Sequence, residues 1–250
     1  MKKTIYIIIS LIVLQGCDPK NSWDCTQQPG GLTVQSYEVN GFNSILVERD
    51  IELIIEQGPE YAVVIETGEN LLSDIEVKMV GNQLQLFDNN TCNFFREYGI
   101  TKAYVTAPSL NEIRNSSQYE VTSVNVLTYP ELILISEDFN ETNNFTVGDF
   151  RLQLDNELVK IISNNLSFFY LSGETETLDV GFFGGSGRLE AENLVARHVK
   201  IFHRSSNDMI VNPQLSLTGE LRGSGDLISI NTPPIIDVEQ FYTGQLIFQD

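Results

Sequence analysis

From residue 32 onward, apolar and polar positions alternate in short runs. Ile51-Glu52-Leu53-Ile54-Ile55-Glu56 stops at Gln57-Gly58-Pro59, and Ala62-Val63-Val64-Ile65-Glu66 stops at Gly68. Ile75-Glu76-Val77-Lys78-Met79-Val80 turns at Gly81-Asn82 into Gln83-Leu84-Gln85-Leu86-Phe87. A period of two, bounded by turn residues, is what half-buried strands require. No segment keeps a helical period. Leu189 to Ala196 has the propensity for a helix but lies inside a different pattern.

That pattern is a repeat. Gly185-Ser186-Gly187, Ser205-Ser206-Asn207, Gly223-Ser224-Gly225 and Thr243-Gly244 place Ser186, Ser205, Ser224 and Thr243 at successive intervals of 19 residues. An apolar strand start follows each, at Leu189, Met209, Leu227 and Leu246. Weaker copies stand upstream at Ser116, Ser136 and Ser163, where glycine is missing from the corner. One small-residue corner per unit predicts an all-β solenoid, each unit a coil that buries its apolar face only by stacking on its neighbours. Small residues suit corners where backbones approach closely. A β-sandwich is the alternative, but it has no reason to keep such registry.

Several motifs in order carry a family resemblance: Phe42-Asn43-Ser44-Ile45 leading into Ile51 to Gly58, Asn70-Leu71-Leu72, Val105-Thr106-Ala107-Pro108-Ser109-Leu110, and the Gly-Ser-Gly corners. Over residues 35 to 248 the chain resembles the head GIN domain family of auto-transporter adhesins. The resemblance implies a right-handed parallel β-helix-like fold on a secreted or surface protein. The missing corner glycines imply wider or irregular first coils.

The N-terminus adds an address. Lys2 and Lys3 precede an apolar run from Ile5 to Leu14, too short for the roughly 20 residues that span a bilayer. Leu14-Gln15-Gly16-Cys17 resembles a bacterial lipobox, with the Cys17 thiol taking the lipid. The expected organisation is a lipoprotein signal over 1–16, a tether over 17–31 rich in Pro, Gly and Asn, and one domain over 32–250. The chain is then an exported, membrane-anchored lipoprotein of the outer membrane or cell surface. Two thiols remain, Cys25 and Cys92, and in an oxidising compartment they predict one disulfide. Loss of the signal leaves 13 basic against 34 acidic residues, a net charge of −21, which repels phosphate backbones and argues against nucleic acid.

Candidate chemistry is sparse. No HExxH, CxxC pair, EF-hand loop or Walker A motif occurs, so no metal or cofactor is expected. His203 and Ser205 would share a strand face, yet no carboxylate is placed to orient the imidazole, and no catalytic residue is assigned. Carboxylate pairs such as Glu174 with Glu176 and Glu190 with Glu192 arise readily in so acidic a chain. The serine row reads as satisfying backbone groups at turns. The doublets Phe94-Phe95, Phe168-Phe169 and Phe182-Phe183 would each send one ring inward and one outward. Five of the 13 basic residues lie between 188 and 222, with both histidines. Arg197, Lys200, His203, Arg204 and Arg222 are the candidate ligand-binding residues, with Arg204 and Arg222 on neighbouring coils and suited to carboxylates or sulfates. The reading is a non-enzymatic scaffold that binds a glycan or a cell-surface protein. Its rival is a polysaccharide lyase or glycoside hydrolase, since similar folds carry both.

Overall fold

Each alternating run named above is a strand in the computed structural model, which describes residues 24–249 other than 91, 95, 96, 98 and 140–144. The lipobox and Cys17 lie outside the described residues, as does Phe95. The strands are β1 (Leu32–Tyr37), β2 (Ser44–Glu48), β3 (Ile51–Gln57), β4 (Ala62–Gly68), β5 (Ile75–Val80), β6 (Gln83–Asp88), β7 (Thr101–Ala107), β8 (Glu112–Ser116) and β9 (Val121–Ser123). They continue with β10 (Glu131–Ser136), β11 (Phe150–Ser163), β12 (Phe168–Phe182), β13 (Arg188–His203), β14 (Met209–Leu221), β15 (Leu227–Ser229), β16 (Ile235–Gln240) and β17 (Leu246–Phe248). All 17 belong to one hydrogen-bonded sheet. The all-β expectation holds, and among the described residues no helix is long and apolar enough to cross a membrane.

From β8 onward every pairing is parallel, and the 19-residue period of the sequence is the register of some neighbouring pairs while others are shifted from it by one or more residues. β11 pairs with β12 at an offset of 19 residues, as in Val159↔Leu178. The long strands bend and serve two faces. The first arm of β11 pairs with β9 and its second arm with β10. Likewise β14 meets β15 with one arm and β16 with the other. Inward positions form columns down the stack, such as Leu132, Val159, Leu178, Val199 and Leu217, all buried. In the other arm, Phe150 and Phe169 stack with ring centroids 4.9 Å apart.

Close approach of coils explains the small residues. A Cβ on Gly225 would stand 1.9 Å from the Asn207 carbonyl oxygen. At the bend of β12, Gly173 has φ +110°, and a Cβ there would lie 2.0 Å from the Leu154 oxygen. Of the hydroxyls at these corners, Ser224 and Thr243 are exposed and Ser186 is half-buried. Ser205 is buried and donates its hydroxyl to the Gly187 carbonyl at 2.7 Å, stitching one corner to the one before it.

The first half departs from this regularity, as the missing glycines imply. β4 pairs antiparallel with both β1 and β7, and β5 forms a two-residue hairpin with β6 through Gly81 at φ +62°. β2 and β3 still run parallel to β8 and β9, which carries the stack forward. The described part of the predicted tether is fastened rather than free. Gln27 donates to the Asn70 carbonyl at 2.7 Å, and Asn70 donates back to the Gln28 carbonyl at 3.0 Å. Cys25 is buried and bonded to Cys92, with sulfurs 2.04 Å apart. Packing therefore begins ahead of residue 32.

Candidate binding surface

The parity of β13 decides the fate of the basic island. Val199, Ile201 and His203 point inward, while Lys200, Phe202 and Arg204 face out. His203 is thus buried in the core, 6.3 Å edge-on from the Phe182 ring. Its ring nitrogens make no well-aligned hydrogen bond, although the backbone of Asp226 and Gly225 comes close to them. Burial pushes its pKa down to about 4, against a smaller opposing pull from the backbone at Asp226 and the carboxylates of Asp208 and Asp226. A neutral, enclosed imidazole neither binds an external ligand nor serves Ser205 as a base, so His203 leaves the set of candidate ligands. Charge density along the sequence drew it in. Strand parity takes it out.

The other four candidates separate into two places. Arg197 is exposed and pairs with Glu176 at 3.4 Å. His198 beside it shares a 2.8 Å hydrogen bond with the Ser216 hydroxyl. Seven residues further along, roughly 23 Å at strand rise, Arg204 reaches the opposite end of the arm. Lys200 lies between them, and neither it nor Arg204 makes an ion pair among the described residues. Arg222 does come beside Arg204: the pairing of β13 with β14 ends at His203↔Leu221, and the Arg222 amide donates to the His203 carbonyl at 2.7 Å.

Around these two arginines the surface is aromatic. Arg204, Arg222, Phe202, Glu220, Phe241 and Tyr242 line a shallow hollow of about 390 Å³. Glu220 pairs with the Arg222 guanidinium, whose carbon lies 4.0 Å from the centroid of the Phe241 ring. Phe202 stacks on Phe183 at 5.2 Å, and Phe183 meets Phe139 edge-on at 5.8 Å. Rings and guanidinium groups from Phe139 to Tyr242 therefore run continuously across successive coils, about 20 Å at strand spacing. Much of this is open: Phe139 is 57% exposed, Phe241 50% and Tyr242 66%. Single exposed apolar side chains are ordinary on a protein surface, but a contiguous row of open rings marks an interaction surface.

The doublet Phe182-Phe183 divides as expected, one ring in the core and one in this strip. Phe139, Phe202, Phe241 and Tyr242 belong to no Phe doublet and no charge cluster, so only the fold brings them together. Phe202 lies opposite Gly181, whose missing side chain leaves room for the Phe183 ring to lie against it.

The carboxylates gather elsewhere. Glu190 pairs with Arg188, and Glu176 pairs with Arg197. Beside the disulfide a hollow of about 210 Å³ contains Asp50, Asp88, Asn90 and Glu97. Burial raises the Asp88 carboxyl to about 6, although it accepts hydrogen bonds from the Asn90 amide and side chain and from Thr101. Among the described residues no three acidic, histidine or cysteine groups stand close enough to hold a metal ion.

A stack of strands with an outward row of rings and cations has the makings of a binding scaffold. Sequence comparison gives the class a family. The family described as "Putative auto-transporter adhesin, head GIN domain" matches residues 41–233, and the chain belongs to it. Solved structures share the fold. A putative adhesin from Bacteroides fragilis superposes with a TM-score of 0.77 at 23% identity, over 87% of this chain and 97% of its own. A putative lipid binding protein from Parabacteroides distasonis follows at 0.63 and 14%, over 88% and 97%. A putative adhesin from Parabacteroides merdae gives 0.58 and 15%, over 88% and 96%. No curated protein sequence matches the chain significantly.

Proposed function

We propose that this protein is a surface lipoprotein, anchored through Cys17, that adheres to a partner through the strip from Phe139 to Tyr242, with an acidic glycan as the partner. The observation that carries this reading is the pairing of open rings with Arg204 and Arg222 in one hollow of a chain that is otherwise strongly acidic. Sugar rings stack on aromatic faces, and guanidinium groups take carboxylates or sulfates through paired hydrogen bonds. With Glu220 offset by Arg222, Arg204 leaves the hollow positive, so long-range attraction favours an anionic ligand and weakens with salt. Belonging to an adhesin family supports a binding role. The lipobox, and the fastening of the chain at Cys25 soon after it, support display of the domain close to a membrane.

The test is an array of neutral, uronate, sialylated and sulfated glycans, read with the wild-type chain and with Arg204→Ser/Arg222→Ser at several salt concentrations. Salt-sensitive binding to acidic members, lost in the double variant, is the expected result. Binding confined to neutral glycans or to proteins, or retained in full by the variant, would overturn the assignment.

A further inference from the structure

The two ends of the stack are finished differently. At the first end Tyr37 and Val39 pack against the core, β1 lies antiparallel on β4, and the Cys25–Cys92 disulfide ties down the segment ahead of them. The last coil has no such roof. Among the described residues β16 pairs only with β14, and β17 only with β15. The inward column that runs from Leu132 to Leu217 ends on Ile236, which lies opposite Leu217 and is still 43% exposed. Val238 and Leu246 rest on the core from one side and are otherwise half-covered. Terminal coils of solenoids ordinarily carry a polar outer face. This one ends on aliphatic side chains.

The backbone of that edge is open as well. The Phe241 amide donates back to the Leu221 carbonyl at 2.8 Å. Backbone groups alternate sides along a strand, so the amides and carbonyls of Ile236, Val238 and Gln240 point away from β14. Such an edge is a template for another strand. On its outward face Asp237 and Glu239 are exposed and make no ion pair among the described residues. Two copies of the chain meeting by this edge would set these carboxylates against one another, and like charges directly opposite destabilise a strand pair. A strand with apolar side chains inward and cations outward satisfies both faces. We propose that the open edge of β16 takes up an extended strand from another protein, with apolar side chains laid over Ile236 and Val238 and lysine or arginine opposite Asp237 and Glu239.

The experiment is fluorescence anisotropy of the full chain with a labelled, capped peptide, Thr-Val-Lys-Val-Lys-Val-Thr. Beside it stand a peptide with glutamate in place of lysine and one of the same composition in scrambled order. The lysine peptide is expected to bind with an affinity that falls as salt rises, and the other two at least about tenfold more weakly. Val238→Pro removes one open amide without touching the pairing to β14, and should weaken binding about tenfold. Asp237→Lys/Glu239→Lys should turn the preference toward the glutamate peptide. No binding of the lysine peptide, equal binding of the scrambled one, or undiminished binding by Val238→Pro with an unchanged preference in the double variant would overturn the proposal. So would sedimentation in which the chain alone dimerises and Val238→Pro makes it monomeric, since the edge would then belong to a second copy.

Discussion

The Arg222 guanidinium rests 4.0 Å from the Phe241 ring centroid, across the gap between two successive coils. Glu220 holds the same guanidinium from its own strand, and Phe202 lies 5.9 Å away on the coil behind. The arginine is thus positioned before any partner arrives, which lowers the side-chain entropy that binding must otherwise remove. A ring and a cation so placed act as one surface.

His203 and Asp88 make stability depend on pH in opposite senses. The folded imidazole titrates near 4, below its usual value, so its contribution is complete above about 6.5 and is lost as pH falls through about 4. The Asp88 carboxyl titrates near 6, above its usual value, so its contribution is complete below about 4 and is lost as pH rises through about 6. Each is worth up to about 3 kcal/mol, and in the wild type they largely offset. His203→Leu matches the Leu221 beneath it and should gain on the wild type as pH falls from about 7 to about 4. Asp88→Asn should lose ground over the same interval. Urea unfolding across that range reads both, and pH-independent differences would contradict the burial argument.

Gly173 is fixed by geometry. With φ +110° and a neighbouring carbonyl where a Cβ would go, Gly173→Ala should cost more than about 2 kcal/mol. Gly31, with nothing within 4 Å of the same added atom, should accept alanine with a change below about 0.5 kcal/mol. Equal tolerance at both positions in thermal unfolding would show that the coils can part more easily than their registers suggest.

How much of this was legible in the sequence depended on whether a period carried it. Strands followed from alternation, and the pairing of Cys25 with Cys92 from their being the two thiols left. An interval close to that of the corners suggested Arg204 beside Arg222, and a local register of 18 residues places them there. His203 was misplaced because it was grouped by charge along the chain, although Val199 and Ile201 already fix the inward parity of that arm. The antiparallel insertions of β1, β4 and the β5–β6 hairpin obey no repeat, so the interval is silent there. Glu190 and Glu192 were visible as a carboxylate pair, but the register shift between Glu190 and Asn193 was not, because a fault in register appears only when two coils are laid together.

The disulfide closes 67 residues of chain and holds Cys25 against the domain. Cys25→Ala/Cys92→Ala should lower stability by about 2–4 kcal/mol, within the chain-entropy expectation. Non-reducing peptide mapping of the exported protein should recover one crosslinked pair. Two free thiols, or a double variant as stable as the wild type, would contradict it.

Cys17 is expected to carry the anchor. Metabolic labelling with an alkyne palmitate analogue should mark the wild type and leave Cys17→Ala unlabelled, with the variant released or retained as an uncleaved precursor. Equal labelling of the two would remove the lipoprotein assignment.

The central claim is that rings and arginines of the strip form one acidic-glycan surface, and calorimetric titration tests it most directly. The full chain would be titrated with size-defined oligosaccharides of polygalacturonate and of a sulfated galactosaminoglycan at rising salt. The wild type should bind at least one with an affinity that weakens as salt rises. Phe183→Ser/Phe241→Ser and Arg204→Ser/Arg222→Ser should each weaken it by about tenfold or more, as loss of anchoring contacts does, with melting temperatures close to that of the wild type. Binding that ignores salt, binding that survives in both pairs of variants, or no binding to either oligosaccharide would contradict the account.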